Sequence, residues 1–474
     1  HGHEEHGHGH GHMAHHSHGH HHVEPTEVGT TTAVMLLGFV AFSMAIFYLV
    51  NWHDKDIRTY SWIILSTTVS IFCAVLMFSA ISQTTCYVSQ QIGISPLFNN
   101  LVLFIGLWYL TQGMLNVFKK RVVPLKAFGL IGAHITGFAA IKCFSEIQTG
   151  DHFGDSWFMS TLATLLWVLV ACVLMYIGHK LRGHLARSDG ELDHCEEEWL
   201  EQCEETEDDA IGLCLSFLVC GNVRYAITGA RPSAHGSTGS RTGAQASWLA
   251  FAGLLFAVAV AGATSLRRRL KSQKLGWYSE RGAAILQIFV GLTMSWCIYF
   301  SVQWYFFSLV NHPSLQGPLG KLLEALTISF GCMLVIFALD AIGDGHADYV
   351  KALKGVIAAL GLLVGISWEN AFSLSVEEVA ARTGHEMATK NLVAAALVSV
   401  VLPAWRLYIL PRSDEELLEY YKGRLPPLKA LCMDYDPERD FAPSKSEVVM
   451  GKLKGTMQSA AGTVRESYKR IVAH

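Results

Sequence analysis

The sequence predicts an all-α, polytopic integral membrane protein with about eleven transmembrane helices, in two parallel five-helix repeats joined by a connector helix. Three observations lead there. Of 474 residues, 51% are apolar and only 16% are charged, whereas soluble globular chains carry about 25% charge. The apolar residues come in runs of about twenty, the length a helix needs to cross a bilayer. Lys and Arg fall in alternate loops, as they do where one set of loops is not translocated. A soluble enzyme, a disordered chain and a secreted disulfide scaffold are thereby excluded. The 11 Cys form no C-x-x-C pair and lie mostly in apolar runs. They read as small buried hydrophobes.

Residues 1–32 form a His-rich outer tail, and the first repeat covers 33–182. Its spans lie at about 33–51, 60–82, 98–118, 126–145 and 157–179. An acidic cytosolic segment (183–209) leads into a connector span at 210–229, followed by a Gly/Ser-rich outer linker (230–245). The second repeat, 246–410, has spans at 246–266, 283–310, 322–343, 352–373 and 389–410. A soluble cytosolic tail occupies 411–474.

The connector is the least obvious span, because AIGLCLSFLVC is short and Asn222 and Arg224 interrupt the apolar run just beyond it. The basic residues decide it. Lys55 and Arg58 follow span 1; Lys119, Lys120, Arg121 and Lys126 follow span 3; Lys180, Arg182 and Arg187 follow span 5. Arg267, Arg268, Arg269, Lys271, Lys274 and Arg281 follow span 7. With eleven spans all fifteen lie on one side, the inner one. That puts the amino terminus outside or lumenal and the carboxyl terminus in the cytosol. The sequence begins without Met, which fits either removal of a signal peptide or a gene fragment.

The halves also resemble each other. LKAFGLIGAHITGFAAIKCF (125–144) aligns with VKALKGVIAALGLLVGISWENAF (350–372), Lys126-Ala127 on Lys351-Ala352, an offset of 225. At that offset Phe104 to Gly106 falls on Ser329 to Gly331; with small gaps Phe78-Ser79 meets Phe300-Ser301 and Tyr60-Ser61 meets Tyr278-Ser279. Five helices plus one connector leave the halves parallel, an arrangement found in secondary transporters with sites between the halves.

Outside the bilayer, the tail carries His1, His3, His6, His8, His10, His12, His15, His16, His18, His20, His21 and His22. Neutral imidazole binds Zn, Cu and Ni, and a flexible tract captures such ions without a fixed fold. Zn²⁺ or another divalent cation is its expected ligand; a cloning tag and a functionless low-complexity tract are the competing readings. Residues 189–209 hold twelve carboxylates around Leu192, Cys195, Trp199 and Cys203 at helical spacing. They predict an amphipathic helix with a solvated acidic face, preferred over a metal site at His194, Cys195 and Cys203. In the cytosolic tail Ser413 caps SDEELLEYYKG, and Met450 to Ile471 form a basic amphipathic helix suited to an anionic leaflet or to the protein's own loops. Expected partners are the lipid bilayer and a membrane or cytosolic protein docking through 189–209 and 445–472; nucleic acid is not expected.

A charged side chain within the bilayer costs about 2.5–3.5 kcal/mol on insertion scales. Each one therefore needs a partner, a watery cavity or an interface to reach. Arg406 and Glu324 are expected to reach the interface. The transport-pathway candidates are Glu369, Asn370, Glu146, Asn116, Asp340, His134 and Arg224. Asn116 and Asp340 lie within a residue of repeat equivalence, and Glu146 and Glu369 within two. A carboxylate at Glu369 could bind a cation or take up a proton, while Lys142, one turn before Glu146, is expected to neutralise the latter. Asp344, His346 and Asp348 after span 9 offer a divalent-ion site, or simply a loop. One deep His is too few for a two-helix haem site. No H-E-x-x-H, G-x-S-x-G, P-loop or G-x-G-x-x-G signature is present, so an enzyme is not expected.

The tail resembles the His-rich segments of zinc transporters, but the paired His and Asp or Glu of their spans are missing here. The six-helix period resembles the major facilitator architecture, whose basic inner loop after span 2 is here an outer loop without basic residues. No family is assigned. The sequence points to a multi-pass transporter or channel for a small solute or cation, with a non-transporting scaffold or accessory subunit as the alternative. A polar cavity lined by Glu369, Glu146 and Asn370 would favour the first; a solid apolar interface, the second.

Overall fold

A computed structural model describes residues 27–187, 190, 192–231, 241–273, 276–309, 317–345, 350–414 and 417. Every described element is helical: α1 (Glu27–Val50), α2 (Lys55–Ile92), α3 (Pro96–Val117), α4 (Val122–Thr149), α5 (Trp157–Ala186) and α6 (His194–Thr228). Next come α7 (Gly243–Ser272), α8 (Trp277–Leu309), α9 (Pro318–Gly345), α10 (Val350–Ala381), α11 (Glu386–Ala404), a π-helical turn (Trp405–Ile409) and α12 (Leu410–Ser413). Among the described residues, ten are long and apolar enough to cross a membrane. The chain is a multi-pass membrane protein. The first expected span lies in α1, a 24-residue helix whose described apolar stretch is Met35–Val50.

Local chemistry sets the helix ends. Asp54 caps α2, accepting from the Asp56 and Ile57 amides, and Gly93 ends it at φ 77°, a left-handed position that glycine takes without a Cβ clash. Ser95 caps α3 just before Pro96. Asp193 and Glu196 form a reciprocal capping box on α6. Pro403 supplies no amide to α11, and the helix loosens into the π turn beyond it. There Trp405 is buried and its Nε1 donates to the Ser66 carbonyl (3.1 Å) and hydroxyl (3.0 Å), tying this end to α2.

Helices α2, α4, α6, α8 and α10 pack on one another in the interior. By contrast, α5, α7 and α11 turn Leu165, Leu169, Leu254, Val258, Leu392 and Val400 outward, as a lipid-facing ring requires. Helix α6 carries Asn222 into this interior because that side chain is satisfied. Asn222 Oδ1 accepts from Ser160 Oγ (2.7 Å) and Gln148 Nε2 (3.1 Å), and its Nδ2 donates to Thr164 Oγ1 (2.9 Å).

Helix α10 approaches α2 through a small-residue face of the Gly-x-x-x-Gly kind. A Cβ on Gly361 would lie 2.8 Å from Thr67 Cβ, and one on Gly365 would lie 3.2 Å from Ile71 Cβ. Thr68 Oγ1 donates to the Gly361 carbonyl across the same contact (3.3 Å). Gly361→Ala should therefore lower stability by about 1–3 kcal/mol, the usual range for overpacking. Thermal unfolding of purified protein measures this, and an unchanged midpoint would contradict the close approach.

Candidate functional site

The helix pattern places Glu146 and Lys142 on one face of α4 and Glu369 and Asn370 near the same level of α10. The structure brings all four to one cavity of about 540 Å³. Helices α2, α3, α4, α6, α8 and α10 wall it, drawing on both the 33–182 and the 246–410 segments. Glu146 Oε2 accepts from Asn100 Nδ2 on α3 at 2.6 Å. Lys142 does not pair with it directly, contrary to expectation: its Nζ donates to Ser82 Oγ on α2. Asn370 Nδ2 donates to Tyr299 OH (3.0 Å) and to the Ile366 carbonyl (2.9 Å). No hydrogen bond or ion pair reaches the Glu369 carboxyl among the described residues.

Six aromatic residues, Phe78, Phe138, Phe217, Trp296, Tyr299 and Phe300, line it as well, among small and aliphatic residues such as Val75, Ser79, Ile141 and Ile366. Phe217 and Trp296 meet edge to face at 4.9 Å, and Trp296 stacks on Phe300 at 6.0 Å. Arg224 is buried, with its guanidinium 4.0 Å from the Phe300 centroid and 6.0 Å from that of Phe217. It supports the wall and does not line the cavity.

A second cavity, of about 220 Å³, lies one or two turns away along α2, α4, α6, α8 and α10. Leu130 and His134 line it from α4, Asp209 from α6, Arg267 from α7 and Gln287 from α8. His134 is buried and its Nδ1 has no hydrogen-bond partner; Arg267 donates to Gln287 Oε1 at 3.0 Å. A cleft of about 420 Å³, containing Lys126, Glu205 and Lys354, shares Leu130 and Asp209 with it. Between the Glu369 and His134 cavities the helices close tightly. Gly365 faces Ile71 there, and a Cβ on Gly137 would lie 2.7 Å from Leu213 Cδ2.

The other candidates fall elsewhere. Asn116 is exposed at the end of α3 and lines neither cavity. Asp340 is half-buried beside Asp54 and Asp56, so the proposed equivalence of Asn116 and Asp340 builds no common site. The twelve tail His, His346 and Asp348 lie outside the described residues, as does the side chain of Asp344. Glu324 does not reach the interface; it is buried and paired with Lys321 at 3.0 Å.

Sequence reasoning missed a buried ion cluster. Residues 194–209 are the first turns of α6, continuous with its apolar part, and Glu196, Glu207 and Asp208 are buried there. The expected solvated acidic face is thus partly turned inward. Trp199 and Cys203 are buried, as their spacing predicts, while Leu192 is exposed. Glu207 accepts from Arg182 Nη2 (3.0 Å), Arg281 Nη2 (3.1 Å) and Gln112 Nε2 (3.0 Å), and Asp208 from Arg281 Nε (2.9 Å). Lys119 pairs with Glu196 at 2.9 Å. Arg182 and Arg281 counted only as loop charges, yet they are 2% and 5% exposed. The signal available was carboxylates running without a break into an apolar helix, where helical continuity forces some of them inside.

The chain matches no protein-family profile, no curated protein and no solved structure.

Proposed function

We propose that this protein is a transporter or channel for a small solute, with the solute pathway between the 33–182 and 246–410 segments. The observation that carries the reading is the shared cavity of Glu146, Glu369 and Asn370, set between the two segments rather than sealed by apolar packing. Its volume is in the range that holds small organic ligands. An ionisable group kept in a membrane interior without a protein partner is a functional group by default. The closed layer between the Glu369 and His134 cavities favours alternating access over a permanently open pore.

The internal repeat agrees with this geometry. At the offset of 225, Ile141 and Ile366, and Ser145 and Asn370, line the Glu369 cavity. At the same offset Leu130 and Gly355, and His134 and Ala359, line the second. Related positions of α4 and α10 thus face the same spaces, as parallel repeats around a central site would arrange them. The positive-inside count turns the Glu369 cavity toward the outside or lumen and the His134 cavity toward the cytosol. The His-rich tail would then gather divalent cations on the outer side. Glu196, Glu207 and Asp208 are taken by the chain's own cations, which leaves residues 189–209 less to offer a protein partner and weakens the scaffold reading.

The test is flux in vesicles reconstituted with the purified full chain, across a panel of inorganic cations, amines, amino acids and organic anions. Saturable, protein-dependent uptake of at least one class is expected. No uptake of any class would overturn the reading in favour of the scaffold.

A further inference from the structure

We propose that the Glu369 cavity binds an organic ammonium ion carrying an apolar body, rather than a bare metal cation or an anion. This rests on the transport reading above and names its substrate class. Three features of the cavity converge on that chemistry.

The first is charge. Two carboxylates, Glu146 and Glu369, face one ammonium, Lys142, and Lys142 is drawn aside to Ser82 on α2. Glu146 is partly satisfied by Asn100, but Glu369 keeps an unmatched carboxylate. With the Arg224 guanidinium held behind Phe300, the carboxylate in the lining that lacks a partner among the described residues, Glu369, is the group that attracts a cation and disfavours an anion.

The second is the wall. Six rings surround the acidic groups, and the face of an aromatic ring attracts a cation within about 6 Å of its centroid, ammonium groups among them. The fold already shows this chemistry at one ring, where the Arg224 guanidinium sits against Phe300. The remaining ring surface suits a hydrocarbon substituent, which a hydrated metal ion lacks.

The third is the spacing of the ligands. A hard metal ion takes six to eight oxygens, or a tight octahedral set, at about 2.0–2.6 Å. Among the described residues, the group of three or more His, Cys, Asp or Glu ligand atoms gathered closely enough to hold an ion is Asp54, Asp56 and Asp340. Glu146 and Glu369 do not belong to such a group. A cavity of about 540 Å³ holding two carboxylates outside any such close group fits a molecule.

A matched series separates the outcomes: 2-phenylethylammonium, phenylalanine and 3-phenylpropionate share one apolar body and differ in charge. Binding to the full chain in nanodiscs is followed by calorimetry, with Na⁺, K⁺ and Ca²⁺ alongside. The ammonium ion should bind at least tenfold tighter than phenylalanine, and phenylpropionate should not bind. Trp296→Leu should weaken the ammonium ion two- to thirty-fold, the range of a lost cation–ring contact, while an unfolding scan checks that the variant is folded. Tighter binding of phenylalanine or phenylpropionate, binding of inorganic cations alone, or no binding of the series overturns the assignment. Inorganic-ion uptake in vesicles without ammonium binding would leave transport standing and reject this ligand class. Ammonium binding with no uptake of anything would keep the site and reject transport.

Discussion

Glu207→Leu is expected to destabilise the folded protein by about 3–5 kcal/mol, the cost of removing one partner from a buried ion pair. Glu207 is the shared acceptor of Arg182 on α5, Gln112 on α3 and Arg281 on α8. Arg182 and Glu207 are each 2% exposed, so solvent cannot replace the missing carboxylate. With leucine there, Arg182 loses its carboxylate and Arg281 keeps Asp208 and the Glu204 carbonyl. The exposed Arg231 pairs with Asp151 and Asp155 make a useful contrast; such solvent-facing pairs contribute about 0–1 kcal/mol. Because large membrane proteins commonly unfold irreversibly, the measurement is the half-life of monodisperse protein at fixed temperature. The double variant Arg182→Met with Glu207→Leu should recover part of the loss, since it removes one buried cation along with the anion. A Glu207→Leu protein as long-lived as wild type would mean that this cluster is hydrated rather than buried.

That cluster also marks where the sequence stopped being legible. Apolar runs of bilayer length located the helices well, and each expected span lies largely within one helix or, at the last, within α11 and the π turn beyond it. Hydropathy is a local average, so it cut α6 at its acidic residues, although backbone hydrogen bonding runs on from His194 to Thr228. The positive-inside rule uses a basic residue as a marker of side. It carries no information on whether the side chain is then folded inward, as Arg182 and Arg281 are. The functional cavity was half legible. Glu146 and Glu369 stood out because a carboxylate among apolar residues is costly, and the offset of 225 suggested that they share a level. Their surroundings did not stand out. Phe78, Trp296, Tyr299 and Phe300 look like any aromatic packing residue until the helices are placed around them. The choice of Asn100 over Lys142 as the partner of Glu146 depends on how α3 is turned against α4, which no single-helix pattern contains.

Glu369→Gln is expected to abolish flux, or to uncouple it from the driving ion, while leaving expression and thermal stability unchanged. The two halves of that statement have one cause. The Glu369 carboxyl has no protein partner among the described residues, so glutamine of nearly equal volume breaks no hydrogen bond and strands no buried cation. What it removes is the charge and the titratable proton that a solute or coupling ion would meet. Glu146→Gln should behave differently. The amide oxygen can still accept from Asn100 Nδ2, and the original carboxylate was already partly satisfied by that bond, so a weaker apparent affinity with turnover largely kept is the expected result. The pair of variants is therefore more informative than either alone, with uptake measured at saturating and limiting solute in the same vesicles. Equal loss in both would place the two carboxylates in one shared binding event. Intact flux in Glu369→Gln would make that residue a passive part of the wall, and the pathway would have to be sought away from the cavity that Glu146 and Glu369 share.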